Sequence, residues 1–418
     1  MKIDSNDKLE HYRVLTGELP NGMRIIHMPY YSEISYCGVA VNTGSRDEYE
    51  DEWGMAHFVE HLLFKGTKRR RAHHIINRME NVGGELNAYT TKEETFIYAT
   101  FLTEYFERAV ELISDVVCNS VFPSNQIEKE CEVILDEINS YEDVPSELIY
   151  DDFENLIYKK SDLGHYILGL SETITTFDTN KIKAFFKRQY RPDNMILFSF
   201  GKTPFDKVVK LSEKYFVFDD IAPYDLKQRI APKVNKPQSI VLHKDTAQAH
   251  VMLGGYSMNM HDEDRFALYL LNNIFGGANA SSRLNNSLRE KNGLVYNVES
   301  IITAYSDTGI FAIYFATDKK NVARCIRLIN KQMQLLIQKK ITPTQLNTAK
   351  RMYKGHMGIA SESNEAVVLR MAKSYLHYNN YFSIKELFER IDKIESEKLQ
   401  ELASDIFSND EFTQIIYQ

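Results

Sequence analysis

At 418 residues the chain exceeds what one hydrophobic core ordinarily organises, so two or three domains are expected. Its apolar content of 43% and charged content of 26% are those of a soluble globular protein. A net charge of −8 argues against nucleic acid and anionic membrane surface as partners, because both require clustered cationic surface. The N-terminal MKIDSNDKLEHYRVL lacks the apolar centre of a secretory signal, and no stretch approaches the roughly 18 apolar residues of a membrane span. Cys37, Cys118, Cys131 and Cys325 are scattered without C-x-x-C spacing. They suggest neither a zinc knuckle nor a disulfide framework and fit a reducing cytoplasm.

In chain order, Asn21-Gly22 between GELP and MRIIHM predicts a hairpin turn, with positive φ angles that suit both residues. SYCGVAVNTGS (35–45) reads as a strand and GMAHFVEHLLFKGT (54–67) as a helix, followed by a second helix that Gly83-Gly84 ends. ETFIYATFL (94–102) is β-prone; 104–121 and 124–143 are helical, the latter with Ser124 as N-cap. Residues 219–238 hold three prolines and no hydrophobic period, which predicts halves 1–220 and 239–418 joined by a linker at 221–238. Beyond it the same order returns in AHVMLGGYS (249–257), FALYLLNNIFGG (266–277) and GIFAIYFATD (309–318), an internal duplication. The expected fold class is α+β: two homologous halves, each a mainly antiparallel sheet flanked by helices.

His57, Glu60 and His61 stand at i, i+3 and i+4, so they share one helix face. Two imidazoles there suit one metal ion, with a carboxylate beside its water; H-x-x-E-H is the inverted form of a zinc-protease motif. The plainer explanation is a set of polar residues on a partly exposed face, since chance produces this spacing in about a few per cent of chains this long. The duplication supplies a control. Aligning Phe64 on Phe275 sets Leu268, Leu271 and Asn272 where the first half has His57, Glu60 and His61, so packing alone does not require histidine.

Helix 124–143 offers a third ligand. Ile127, Cys131, Ile134 and Ile138 form its buried stripe, while Glu128, Glu132 and Asp136 face solvent. Glu130 and Glu137, seven residues apart, project about 20° from one another beside the stripe. Carboxylates there are costly unless something positive meets them, either a divalent metal or a buried arginine. Among other polar clusters, Lys68 to Arg71 reads as a solvated turn, His73-His74 point in different directions, and His165 and His250 have no partner spacing.

Taken together, HFVEHLLFKGT, GGELNAYTTKEETFIYA (83–99), the glutamate-rich helix and SSRLNNSLREKNGLVYNV (281–298) resemble the insulin-degrading enzyme and mitochondrial processing peptidase family of inverted-motif zinc peptidases. The resemblance covers nearly the whole chain. It implies Zn²⁺ held by His57, His61 and Glu137, the last lying 76 residues past the second histidine. It implies Glu60 as general base, Glu130 orienting a ligand, and Arg289 and Tyr296 over the substrate. Without it, Arg289 and Tyr296 read as a helix end and a strand, with Tyr296 in the core. Asn87 and Ala88 match the family's edge strand, where an extended peptide adds by main-chain pairing. Short members of this length resemble half of a clamshell, which implies a homodimer enclosing a chamber. The expected function is a cytoplasmic zinc endopeptidase acting on unfolded peptides; the alternative is a non-catalytic scaffold subunit of the same family. A dedicated glycine-rich presequence loop is represented only by Gly276-Gly277.

Overall fold

A computed structural model describes residues 13–218, 226–408 and 412–418. Residues 1–12, on which the expected absence of a secretory signal rests, and 219–225, which include the start of the expected linker at 221–238, lie outside the described residues.

The described residues form two compact units: one of 13–138, 165–218, 226–229 and 360–385, the other of 139–164, 230–359, 386–408 and 412–418. The first contains strands β1 (Leu15–Glu18), β2 (Arg24–Pro29), β3 (Ile34–Val41), β4 (Glu85–Thr90), β5 (Thr95–Leu102) and β6 (Met195–Gly201). They run in the order β1-β2-β6-β3-β5-β4, antiparallel except for β2 beside β6. Its helices are α1 (Met55–Leu63), α2 (Ala72–Glu80), α3 (Phe106–Asn119), most of α4 (Ser124–Glu142), α6 (Ser171–Ile174), α7 (Thr179–Gln189), α8 (Phe205–Tyr215) and α12 (Asn364–Tyr378). The second unit orders β7 (Ser239–Leu242), β8 (Ala249–Ser257), β9 (Val295–Ala304), β10 (Gly309–Thr317) and β11 (Thr413–Tyr417) as β7-β11-β8-β10-β9. There β7 lies parallel to β11 and the rest is antiparallel. Strand for strand this is the first sheet without β1, so the duplication is a fact of topology.

Each sheet is covered on both faces at its central strands, which explains strands such as MILFSFG and GIFAIYFAT with no polar alternation. In the first unit Ile25, Val39, Ile97 and Leu197 pack on α1, α3, α7 and α8, while Ile26, Ala40, Phe96 and Phe198 meet α12. In the second unit Leu253, Phe311 and Ile313 pack on α9 (Arg265–Gly276), α10 (Val322–Gln338) and α14 (Ser396–Phe407); Met252, Ile310 and Ala312 meet α5 (Pro145–Ile157).

Here the structure corrects the contiguous division at 220 and 239. Helix α12, from late in the chain, belongs to the first unit, and α5, from the early part, belongs to the second. The physical reason is that a sheet buried on both faces needs a second apolar cover, and each copy draws that cover from the other half of the sequence. At the β1–β2 turn only Gly22 takes positive φ, +87°; the Asn21 side chain instead accepts from the Met23 N–H. No disulfide joins the four cysteines. Among the described residues no helix is long and apolar enough to cross a membrane.

One buried carboxylate ties α12 to the first sheet. Glu94 accepts from His377 Nε2 at 2.7 Å and is also paired with Lys373. Burial works to raise its pKa, but His377 and Lys373 outweigh it and hold it at about 2. That lies below the ordinary unfolded value near 4.3, so its contribution is complete above about pH 4.3 and disappears as pH falls through about 2. Glu94→Gln is expected to destabilise the protein at pH 7 by about 1–3 kcal/mol, and thermal melts of the two proteins should converge as the pH approaches 2.

Candidate metal centre

Helix α1 buries Phe58, Val59, Leu62 and Leu63 completely, which turns His57, Glu60 and His61 to the remaining face. Its start is fixed from behind. Gly54 has φ +94°, and a Cβ there would stand 2.7 Å from the Leu168 carbonyl oxygen. The fully buried Glu48 carboxylate accepts from the Gly54 N–H at 2.8 Å and the Ala56 N–H at 2.7 Å, which satisfies donors that the helix itself leaves open. Burial pushes the Glu48 pKa well up, against those N–H groups and Lys92. His165 packs its ring on Trp53 at 5.0 Å and lies 3.2 Å from the same carboxylate.

Helix α4 supplies the facing side chains. Glu130 is 5% exposed, with Oε2 at 3.2 Å from His61 Nδ1 and Oε1 at 2.6 Å from Lys65 Nζ. Two turns further on, Glu137 Oε2 lies 3.7 Å from His61 Nε2 and 4.0 Å from His57 Nε2. One ligand atom from each of His57, His61 and Glu137 falls within 4.8 Å of the others, the one such group of three found among the described residues. The Glu137 side chain is 45% exposed, so the cost-of-burial reasoning applies to Glu130 and not to it. Cys131 and Ile138 are half-buried at the edge of the core, whereas Ile127 and Ile134 lie within it.

These residues fit a zinc ion. Nitrogen and oxygen ligands about 2.0–2.1 Å from a tetrahedral centre stand roughly 3.4 Å apart, a few tenths of an ångström closer than the Glu137 separations. A ligating histidine must be neutral, and burial, reinforced by His61, lowers the His57 pKa to about 3. His61 has Glu130 on its second nitrogen, the usual orienting contact for a metal ligand. His57 Nδ1 is buried and makes no such bond.

Glu60 lies beside this cluster with Oε2 accepting from Thr90 Oγ1 at 2.6 Å. Burial raises its pKa, with Glu137 adding to the rise and Thr90 and His61 opposing it. Thr90 ends β4, the outermost strand of the sheet, where Asn87 and Ala88 also lie. Leu86, Asn87 and Ala88 line a hollow of about 520 Å³ together with Glu60, His61 and Phe64. In the second unit, Arg289 sits 6.0 Å from the Tyr296 ring. Tyr296 is 84% exposed, which overturns its reading as a core residue: with Asn297 it faces solvent between the buried Val295 and Val298.

Sequence reasoning missed Thr90, Lys65 and Glu48, because their partners are distant in sequence or on another element. Arg70, read as solvated, is half-buried against Glu111 and Asp115 at 2.6 Å each. The counterpart helix α9 buries Leu268 and Leu271 at 1% exposure, and Asn272 donates to the Ser300 carbonyl.

A doubled α+β scaffold with one His–His–Glu cluster defines the class of inverted-motif metallopeptidases, and the comparisons agree. Residues 25–170 match the insulinase (peptidase family M16) model, and 176–353 match the peptidase M16 inactive domain. The chain is similar to the uncharacterized zinc protease YmxG of Bacillus subtilis, 31% identical over 93% of this chain and 95% of the relative. An uncharacterized zinc protease of Rickettsia felis is 32% identical over 94% and 95%. The fold is similar to that of a protease from Helicobacter pylori, with TM-score 0.88 and 22% identity over 97% of this chain and 100% of that one. The chain belongs to the insulinase family, peptidase M16.

The cap makes the helix start testable. Glu48→Ala should lower stability by about 1–2 kcal/mol in thermal or urea unfolding, and Glu48→Gln, which keeps one acceptor oxygen, should lose less.

Proposed function

We propose that the protein is a zinc-dependent endopeptidase acting on unfolded peptides. The convergence of His57, His61 and Glu137 beside the half-buried carboxylate of Glu60 carries this reading. His57, His61 and Glu137 would hold Zn²⁺, which when bound supplies electrophilic polarisation of a carbonyl and makes water acidic near neutral pH.

The chain's own residues do the rest. Glu60 Oε2 is engaged by Thr90, so Oε1 is the oxygen left to take a proton from the attacking water and return it to the leaving amine. Glu130 fixes the ring orientation of His61. An extended peptide would pair with the outer edge of β4 at Asn87 and Ala88, with a side chain in the adjoining hollow. Tyr296, with Arg289, would donate to the scissile carbonyl oxygen.

That last role belongs to a homodimer in which one protomer's Arg289 and Tyr296 serve its partner's cluster. The presence of both residue sets in one chain, and the exposure of Tyr296, support it. The reading as a scaffold subunit requires a chain without turnover, and the intact motif argues against it.

Glu60→Gln should keep stoichiometric zinc in elemental analysis and lose cleavage of a quenched fluorescent peptide mixture by about 10²–10⁴-fold; Glu137→Gln should lose the metal itself. Full turnover by Glu60→Gln would remove that residue from the mechanism, and an inactive wild type loaded with zinc would favour the scaffold. Mixing inactive Glu60→Gln with inactive Tyr296→Phe should restore part of the activity if the sites are completed between protomers. No recovery from subunits known to exchange would reject the shared site.

A further inference from the structure

The second unit contains a hollow of about 340 Å³ whose wall includes Arg283, Asn273, Asn279, Gln345, Ile274 and Met352. No carboxylate is among its lining residues. Arg283 is half-buried, and no hydrogen bond or ion pair is made by its guanidinium within the described residues. Burial alone pulls its pKa down, with no acidic group acting on it. Three arginines withdrawn from solvent elsewhere are matched by carboxylates: Arg46 meets Glu93 at 2.6 Å, Arg188 meets Glu52 at 2.6 Å, and Arg229 meets Asp47 at 2.8 Å.

A guanidinium keeps its charge at any physiological pH, so an unmatched one in a recess is a standing cost to the fold. A ligand that binds only the folded protein can remove that cost. The fork of N–H donors matches a carboxylate in two parallel hydrogen bonds. One cation suits a monoanion; a phosphate dianion would call for a second, and the lining supplies none. The amides of Asn273, Asn279 and Gln345 suit the polar atoms next to such a carboxylate, and Ile274 and Met352 suit an aliphatic side chain beyond it. We propose that this hollow binds the α-carboxylate of an amino acid derivative or peptide C-terminus through Arg283, with an apolar side chain seated against Ile274 and Met352. The proposal is independent of the peptidase reading, because it concerns the second unit and is measured by binding.

The test is calorimetric titration of the full chain in HEPES with N-acetyl-leucine, N-acetyl-leucinamide, the free acid Ala-Ala-Leu and inorganic phosphate, using wild type, Arg283→Met and Arg283→Lys. The acids are expected to saturate the wild type. The amide, and Arg283→Met with any acid, should bind at least tenfold more weakly, and Arg283→Lys should fall between. Tighter binding of Ala-Ala-Leu than of N-acetyl-leucine would assign the site to peptide ends, and the reverse order to small acids. Without ligand, Arg283→Met should melt no lower than wild type, because it removes an unmatched charge. Equal binding of acid and amide, undiminished binding by Arg283→Met, preference for phosphate, or absence of saturation would each overturn the proposal. So would a ligand-free Arg283→Met that melts well below wild type, since Arg283 would then be a structural partner.

Discussion

Glu130 grips His61 in the last turn of α1 and Lys65 just beyond that helix, and the rest of the site depends on that grip. Two contacts on one carboxylate fix both the rotation of α4 and its axial position against α1. A helix advances about 10.5 Å in seven residues and returns almost to the same azimuth, so Glu137 is carried along α1 in the opposite direction. It arrives between His61 and His57 Nε2. The stripe His57, His61, Lys65 and the pair Glu130, Glu137 therefore run antiparallel. Lys65 also supplies the positive charge that the buried Glu130 carboxylate needs.

The sheet edge contributes the other half of the geometry. Thr90, the last residue of β4, donates to Glu60, and the next strand begins with Thr95, whose hydroxyl bonds the Thr43 carbonyl. The strand proposed to receive a peptide thus also positions the proposed base. A peptide paired along that edge would lie in fixed register with the carboxylate.

The duplication separates what the scaffold needs from what the chemistry needs. Helices α1 and α9 each pack beside an outermost strand, β4 in one sheet and β9 in the other. The second copy does so with Leu268 and Leu271 in its core, and the family model that matches it is the inactive domain. Histidine at the first copy's positions answers no packing requirement. The exchange of α5 and α12 is a separate constraint: it makes each unit's core depend on sequence from both halves of the chain.

The strands and helices around the motif were legible because their periods are local. An i, i+3, i+4 set needs only a helix to share a face, and the seven-residue spacing of Glu130 and Glu137 needs only another. The repeated order of strand, helix and strand likewise disclosed the doubled α+β fold. What residues 57 to 61 could not disclose is that Glu137 comes within 4.0 Å of them; the resemblance pointed to it, and the packing of α4 on α1 brought it there. The same holds for Thr90 on Glu60, Glu48 at the helix start and the exposure of Tyr296. The units' composition was also beyond a linear reading, since prolines at 219–238 mark a break in local structure but not which sheet a later helix covers. Sequence by itself determined the elements, the duplication and the paired histidines, because those follow from neighbours a few residues apart. Tertiary structure decided the approach of Glu137 to the paired histidines, the Thr90 donor to Glu60 and the exchange of helices, because each depends on which distant surfaces exclude water together.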